Sequence, residues 1–174
     1  MRQADVGQVA VVEPMGLREA LARHPAGVVV ITSVLDGHRA ALTVTSFTSA
    51  SSSPPLVSFY LMKESSAGHV LLNAERFAVN FPASSQRDVA ARCAMSGVDR
   101  FSPAYPWECG PFGLPLLKGA VVQMVCRRER VVDVGDHFLV VGMVEEVRAG
   151  ESRDPLLYYR RDYAAVQRPH RLGQ

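Results

Sequence analysis

The stretch Ala40–Leu61, AALTVTSFTSASSSPPLVSFYL, decides the reading of this chain. It opens as an alternating strand and places eight hydroxyl residues in the eleven positions 43–53. It then closes on Pro54-Pro55 and re-enters an apolar strand. A surface connection needs no such density of small donors. A wall around a large anionic cofactor does, because each Ser or Thr sets a hydroxyl beside its backbone N–H. The plain alternative is a Ser-rich loop between two core strands, its hydroxyls spent on local turns. The residues alone leave both open.

Outward from this stretch the chain reads as short strands joined by turns. Val28 to Leu35 is β-branched and apolar, a buried strand. Asp36-Gly37 predicts a hairpin turn that returns the strand 40–46 antiparallel to it. The third strand, 56–61, cannot begin before Pro54-Pro55. Further strands are expected over 77–81, 121–132 and 137–147, the last two joined through a turn at 133–136. Helices are expected over 14–24, 65–73 and 86–95, with Ser65 or Ser66 and Ser84 or Ser85 as caps. A short helix or turn is expected over 154–163. The Pro- and Gly-rich segment 99–117 carries Phe101, Tyr105, Trp107 and Phe112, which predict an ordered, buried loop. About six strands with short connections argue against a doubly wound parallel sheet. A closed or nearly closed antiparallel barrel with peripheral helices is the expectation. The domain is expected over 13–166, with a loose arm at 1–12 and a frayed tail at 167–174.

Composition excludes several classes. The 174 residues suffice for one domain with a sizeable core, and 48% hydrophobic with 21% charged residues is ordinary for a globular chain. A net charge of +2 argues against a nucleic-acid partner. Three cysteines, odd in number and widely spaced, suggest no disulfide scaffold and fit a reducing cytoplasm. The opening MRQADVGQ has no apolar core and reads as no export signal. No apolar run is long enough to suggest a membrane span. The chain lacks GxGxxG after its first strand, a Walker lysine loop, HExxH and GxSxG. Asp136 and His137 are adjacent, and strand alternation predicts that they point apart, a poor metal site. These absences favour a cofactor that brings its own reactivity.

The order and spacing of HPAGVVVITS, LTVTSFTSASSSPPLVSFYL, ERFAVNF, the DRF at 99–101, the GDH at 135–137 and PLLYYRRDY resemble the short-chain flavin reductase family. These are the reductase components of two-component flavin-dependent monooxygenases. The likeness spans about residues 17–163. Ala41-Leu42 stands where the family often has Gly-Met, and Ser53 where it often has an acid.

The resemblance implies an all-β split barrel with peripheral helices, working as a homodimer. It implies reduction of FAD, or alternatively FMN, by NADH, or alternatively NADPH. Reduced flavin then diffuses to a separate oxygenase, in secondary metabolism. Carried over by position, Thr43, Val44, Thr45 and Ser46 line the flavin ring and ribityl chain, and Ser49, Ala50 and Ser51 lie near the polar edge of the ring. Ser65 and Ser66 approach the phosphate. Asn80 and Phe81 form another part of the wall, with Arg87 nearby. Tyr159 faces the cofactor, and His137 lies beside the nicotinamide as the catalytic candidate. Arg160 and Arg161 are within reach of a dinucleotide phosphate. Two other readings remain: a split barrel that binds flavin without turnover, and a structural barrel that binds nothing.

Overall fold

Asp36 and Gly37 adopt φ of 49° and 78°, the left-handed pair that a two-residue hairpin turn requires. In the computed structural model, which describes residues 13–151 and 154–167, this turn joins the first long strands. The expected arm and residues 168–174 of the expected tail lie outside the described residues. In chain order the strands are β1 (Ala26–Gly27), β2 (Val29–Leu35), β3 (His38–Val44), β4 (Thr48–Ser52), β5 (Pro55–Met62) and β6 (Arg76–Phe81). They continue with β7 (Trp107–Cys109), β8 (Pro115–Leu117), β9 (Val122–Val134), β10 (His137–Ala149), β11 (Leu156–Tyr159) and β12 (Asp162–Ala165). The helices are α1 (Pro14–Leu21), α2 (Gly68–Asn73) and α3 (Arg87–Ala94).

Seven strands form one antiparallel sheet in the order β3-β2-β6-β9-β10-β5-β4. The expected all-β architecture with peripheral helices is therefore observed. The sheet curls until the end of β3 meets β5, where the Tyr60 N–H donates to Ser46 Oγ at 3.0 Å. No strand ladder closes this seam among the described residues, so the barrel is split there.

The continuous apolar run of β2 is explained by burial on both faces. Val29 and Ile31 join Phe59, Leu61, Phe77, Val79 and Val140 inside the curl. Val28 and Val30 pack instead with Ala41, Leu117, Leu156 and the Val89, Ala90 and Cys93 face of α3. At Gly142 of β10, a Cβ would stand 2.4 Å from Phe77 Cζ. The absent side chain leaves the room that the Phe77 ring occupies.

Four expectations are corrected. The hydroxyl stretch is not all loop, because Thr48–Ser52 pairs with β5 as an edge strand. The segment 154–163 is no helix; its later part enters the hairpin β11–β12, because Leu-Leu-Tyr-Tyr favours extended backbone. The helix caps differ. α2 starts at Gly68 after Ala67 with no side-chain cap, and Ser84–Gln86 forms a 3-10 turn where Gln86 Oε1 accepts the Ala83 N–H at 3.0 Å. Phe112 is not buried. It sits at φ 57° and 64% exposure under the Arg76 guanidinium, 4.1 Å from the ring centre. Phe101, Tyr105 and Trp107 do pack on the core.

Candidate active site

The seam between β3 and β5 opens into a cleft of about 510 Å³. One wall is the end of β3 with the two residues that follow it, Leu42 to Ser46. The others are Tyr60 and Met62 of β5 and Val134, Asp136 and His137 at the β9–β10 turn. Strand alternation builds the β5 wall. Phe59 and Leu61 enter the core, so Tyr60 and Met62 face out, 41% and 52% exposed. The register of β10 on β5 sets His137 opposite Met62. It brings the imidazole edge-on to Tyr60 at 6.4 Å between ring centres. Lys63 braces the turn, its N–H donating to Asp136 O at 3.0 Å and its Nζ pairing with Asp133 at 2.9 Å.

Asp136 and His137 do not point apart. His137 Nδ1 lies 2.6 Å from Asp136 Oδ1. Asp136 belongs to the turn and not to the strand, so alternation does not govern it. The hydrogen bond from His137, with its charge, holds the Asp136 carboxyl below the usual carboxylate range. With Nδ1 so engaged, Nε2 has no protein partner among the described residues.

The hydroxyls of this wall divide by task. Thr43 Oγ1 donates to Ala90 O at 2.6 Å and anchors α3. Ser46 Oγ accepts from Tyr60 N and keeps its own proton to donate. Val44 is buried, while Thr45 is exposed. The N–H groups of Thr45 and Ser46 lie past the last ladder pair, Val29–Val44.

Further back along β3, Arg39, Ala40 and Ala41 border a smaller cavity of about 190 Å³ with Ser66 and Arg100. Arg100 donates to Ala41 O at 3.0 Å, Ser66 Oγ at 3.1 Å and Met95 O at 2.6 Å. Its one guanidinium thus ties β3, the start of α2 and the end of α3 together. A groove of about 520 Å³ leaves the cleft in another direction, sharing Thr45, Ser46 and Tyr60 with it.

Of the residues expected from the sequence, Thr43, Val44, Thr45, Ser46 and His137 come together around the cleft. Ser66 lies at the Arg100 cavity, and Ser65 Oγ accepts the Ala67 N–H at 3.3 Å nearby. The others stand apart. Ser49, Ala50 and Ser51 lie on the edge strand β4. Asn80 is wholly buried. It donates to Val30 O and Thr32 Oγ1, and accepts the Leu117 N–H. Phe81 meets Phe47 edge-on at 5.3 Å. Arg87 pairs with Asp162 at 2.8 Å, and Tyr159 lies against the Arg160 guanidinium. Sequence reasoning missed Leu42, Tyr60, Met62, Val134 and Arg100. Alternation past the buried Phe59 and Leu61 is the signal that finds Tyr60 and Met62.

Among the described residues, no three of His, Cys, Asp and Glu stand close enough to hold a metal ion. No helix among them is long and apolar enough to cross a membrane. Burial pushes the Cys93 and Cys126 thiols up to about 12, which makes them inert fillers.

Residues 21–167 match the flavin reductase like domain. The NADH:riboflavin 5'-phosphate oxidoreductase of Streptomyces pristinaespiralis is 39% identical over 166 residues, covering 94% of each chain. The NADH:FMN oxidoreductase of Rhodococcus qingshengii is 38% identical over 161 residues, covering 90% of this chain and 82% of its own. Among solved structures, the NADH:FAD oxidoreductase of Streptomyces globisporus, in complex with NAD and FAD fragments, superposes with a TM-score of 0.84. It is 28% identical and covers 95% of this chain and 100% of its own. The split barrel is thus shared along nearly the whole chain, and the chain belongs to the flavin reductase-like family.

Proposed function

We propose that this chain is an NADH:flavin oxidoreductase whose substrate flavin lies along β3. One observation carries the reading: a single strand borders both a cleft suited to a flat ring and, further back, a cavity edged by arginines. The fit is chemical as well as spatial. The cleft volume of about 510 Å³ lies in the usual range for small-molecule sites, about 300–1,000 Å³. Leu42, Tyr60, Met62 and Val134 give apolar surface for the ring. Ser46 and the N–H groups beyond the β3 ladder give donors for its carbonyls. Ser65, Ser66 and Arg100, with Arg39, suit the phosphate.

A bound flavin supplies the hydride acceptor; the protein supplies position and charge. The cleft walls hold ring and nicotinamide together. The Ser46 hydroxyl and the nearby N–H groups serve negative charge on the reduced ring. His137, held by Asp136, offers Nε2 to the nicotinamide side without accepting the hydride. Thr43 acts through its bond to α3, fixing the strand, while Val44 and Thr45 complete the wall.

The reduced flavin leaves for a separate oxygenase. The reductase subunit of a flavin-dependent monooxygenase in Mycobacterium tuberculosis is 35% identical over 161 residues, which supports this. The working unit is a homodimer. The outer edge of β4 has no strand partner among the described residues, and Val132, Val134 and Val147 expose apolar surface. A second copy gives Ser49, Ala50 and Ser51 a covered setting. Sedimentation should therefore report twice 19.0 kDa; a single-chain mass at micromolar protein rejects the dimer.

The activity test is loss of NADH absorbance near 340 nm with FAD, FMN or neither. Oxidation only when flavin is present is expected. Flavin binding without such oxidation would leave a binding protein and end the enzyme reading. His137→Ala should raise the KM for NADH about 3–10-fold, as for one lost hydrogen bond, with the KM for flavin unchanged. An unmoved KM for NADH removes His137 from the nicotinamide side.

A further inference from the structure

Positive charge accumulates along the groove that leaves the cleft. Arg18, His24 and Arg161 line it, together with Tyr60 and Tyr158. It shares Ala22 and Arg161 with an outer depression of about 340 Å³, where Arg23 and Arg160 join. Glu19 is the one acid lining that depression. None of the four arginines forms an ion pair with a carboxylate among the described residues.

The backbone presenting two of these arginines is strained. Arg160 and Arg161 form the whole turn between β11 and β12, with φ of 51° and 63°. Such a turn favours Asn-Gly or Asp-Gly, as at Asp36-Gly37, because a Cβ is disfavoured in the left-handed region. Two arginines here carry a backbone cost that a structural turn has no need of. Strain of this kind gathers at functional sites. The Arg160 N–H also donates to Ala22 O at 2.8 Å, tying the turn to the end of α1. Cations from both chain ends therefore meet at one corner beside the cleft.

We propose that this corner binds the phosphates of the nicotinamide dinucleotide, including the 2′-phosphate of NADPH, so that the chain accepts NADPH at least as well as NADH. The inference rests on the flavin reductase reading. Four arginines against one glutamate line the groove and its outer depression, an excess of three, and the Asp136 carboxylate near Arg18 is engaged by His137. The diphosphate bridge of NADH carries two negative charges and leaves an excess. A phosphomonoester adds about 1.5–2 more negative charges near neutral pH. Arginine suits it as a forked donor to phosphate.

The test replaces the turn by its preferred residues, Arg160→Asn with Arg161→Gly. The hairpin is then easier to form, so a folding failure is not at issue. Calorimetry of the FAD-loaded protein should show NADP+ binding as tightly as NAD+ or more so, with a preference that shrinks at high salt. In the double variant the affinity for NADP+ should fall tenfold or more, with a smaller loss for NAD+. The thermal midpoint should rise by roughly 2–4 °C as strain is relieved. Wild-type protein that binds NADP+ ten times more weakly than NAD+, or a variant that keeps its NADP+ affinity, overturns the proposal. If NADH still reduces flavin in that case, only the phosphate corner falls. If neither dinucleotide reduces flavin, the underlying reading falls with it.

Discussion

Asn80→Ala should lower stability by roughly 2–4 kcal/mol, among the largest effects of any single substitution outside the hydrophobic core. The side chain is 0% exposed and links three elements. Its amide donates to Val30 O at 3.2 Å and Thr32 Oγ1 at 3.3 Å on β2, and its carbonyl accepts the Leu117 N–H at 2.8 Å from β8. Alanine leaves the buried Leu117 N–H without its acceptor, at about 1–3 kcal/mol before relaxation, and removes one donor each from Val30 O and Thr32 Oγ1, the latter keeping its bond to Pro115 O. Aspartate keeps the shape but aims a carboxylate at two acceptors. Burial then raises its folded pKa above the unfolded value, so the folded state binds the proton more tightly. Asn80→Asp should accordingly be most stable at acid pH and lose stability as pH rises. Thermal unfolding across pH measures both variants. Because Asn80 lies wholly beneath the surface, its loss should act on the melting point and not on flavin affinity in the folded protein. A raised flavin dissociation constant with an unmoved melting point would assign it to the cofactor instead.

Arg100→Ala should weaken FAD and FMN binding about 10–100-fold, as expected for one or two charge-assisted hydrogen bonds. Arg100 grips Ala41 O, Ser66 Oγ and Met95 O. Two consequences follow and can be separated. Loss of the Ala41 contact loosens β3, which affects any flavin. Loss of the charge affects only flavins that carry phosphate. Quenching of flavin fluorescence gives the dissociation constants, and riboflavin serves as the control. Riboflavin should lose only the smaller share that comes from the loosened strand, and Arg100→Lys should restore only part of the binding of FAD, because ammonium lacks the planar fork. Equal losses for riboflavin and FAD would deny the phosphate role.

How far the sequence could be read depended on the range of each interaction. Asp36-Gly37 is a local signal with a local cause, and the hairpin was legible from two residues. The strands 121–132 and 137–147 were legible from their β-branched content. The edge strand β4 was hidden because Ser-rich backbone has low strand propensity, and only its register on β5 makes it a strand. The β11–β12 hairpin was hidden for the opposite reason: Arg160-Arg161 lacks the glycine or asparagine by which such turns are recognised. In the candidate site, the run 43–46 and His137 were named through the family resemblance, and one strand end and one turn bring them to the same cleft. Arg100 could not, since two of its three acceptors, Ala41 O and Ser66 Oγ, lie on segments distant in sequence. Asn80 stood in a matching motif, but motif position does not tell which way a side chain faces. Its burial follows from the pairing of β6 with β2.

Strand β3 is the outermost member of the sheet beyond β2, yet it borders both proposed flavin cavities. A ligand laid there supplies the neighbour that the sheet itself withholds. Heat resistance then becomes a function of free flavin concentration. Each round of product release briefly bares the same margin, so supplying an oxygenase and staying folded draw on a single shared pool.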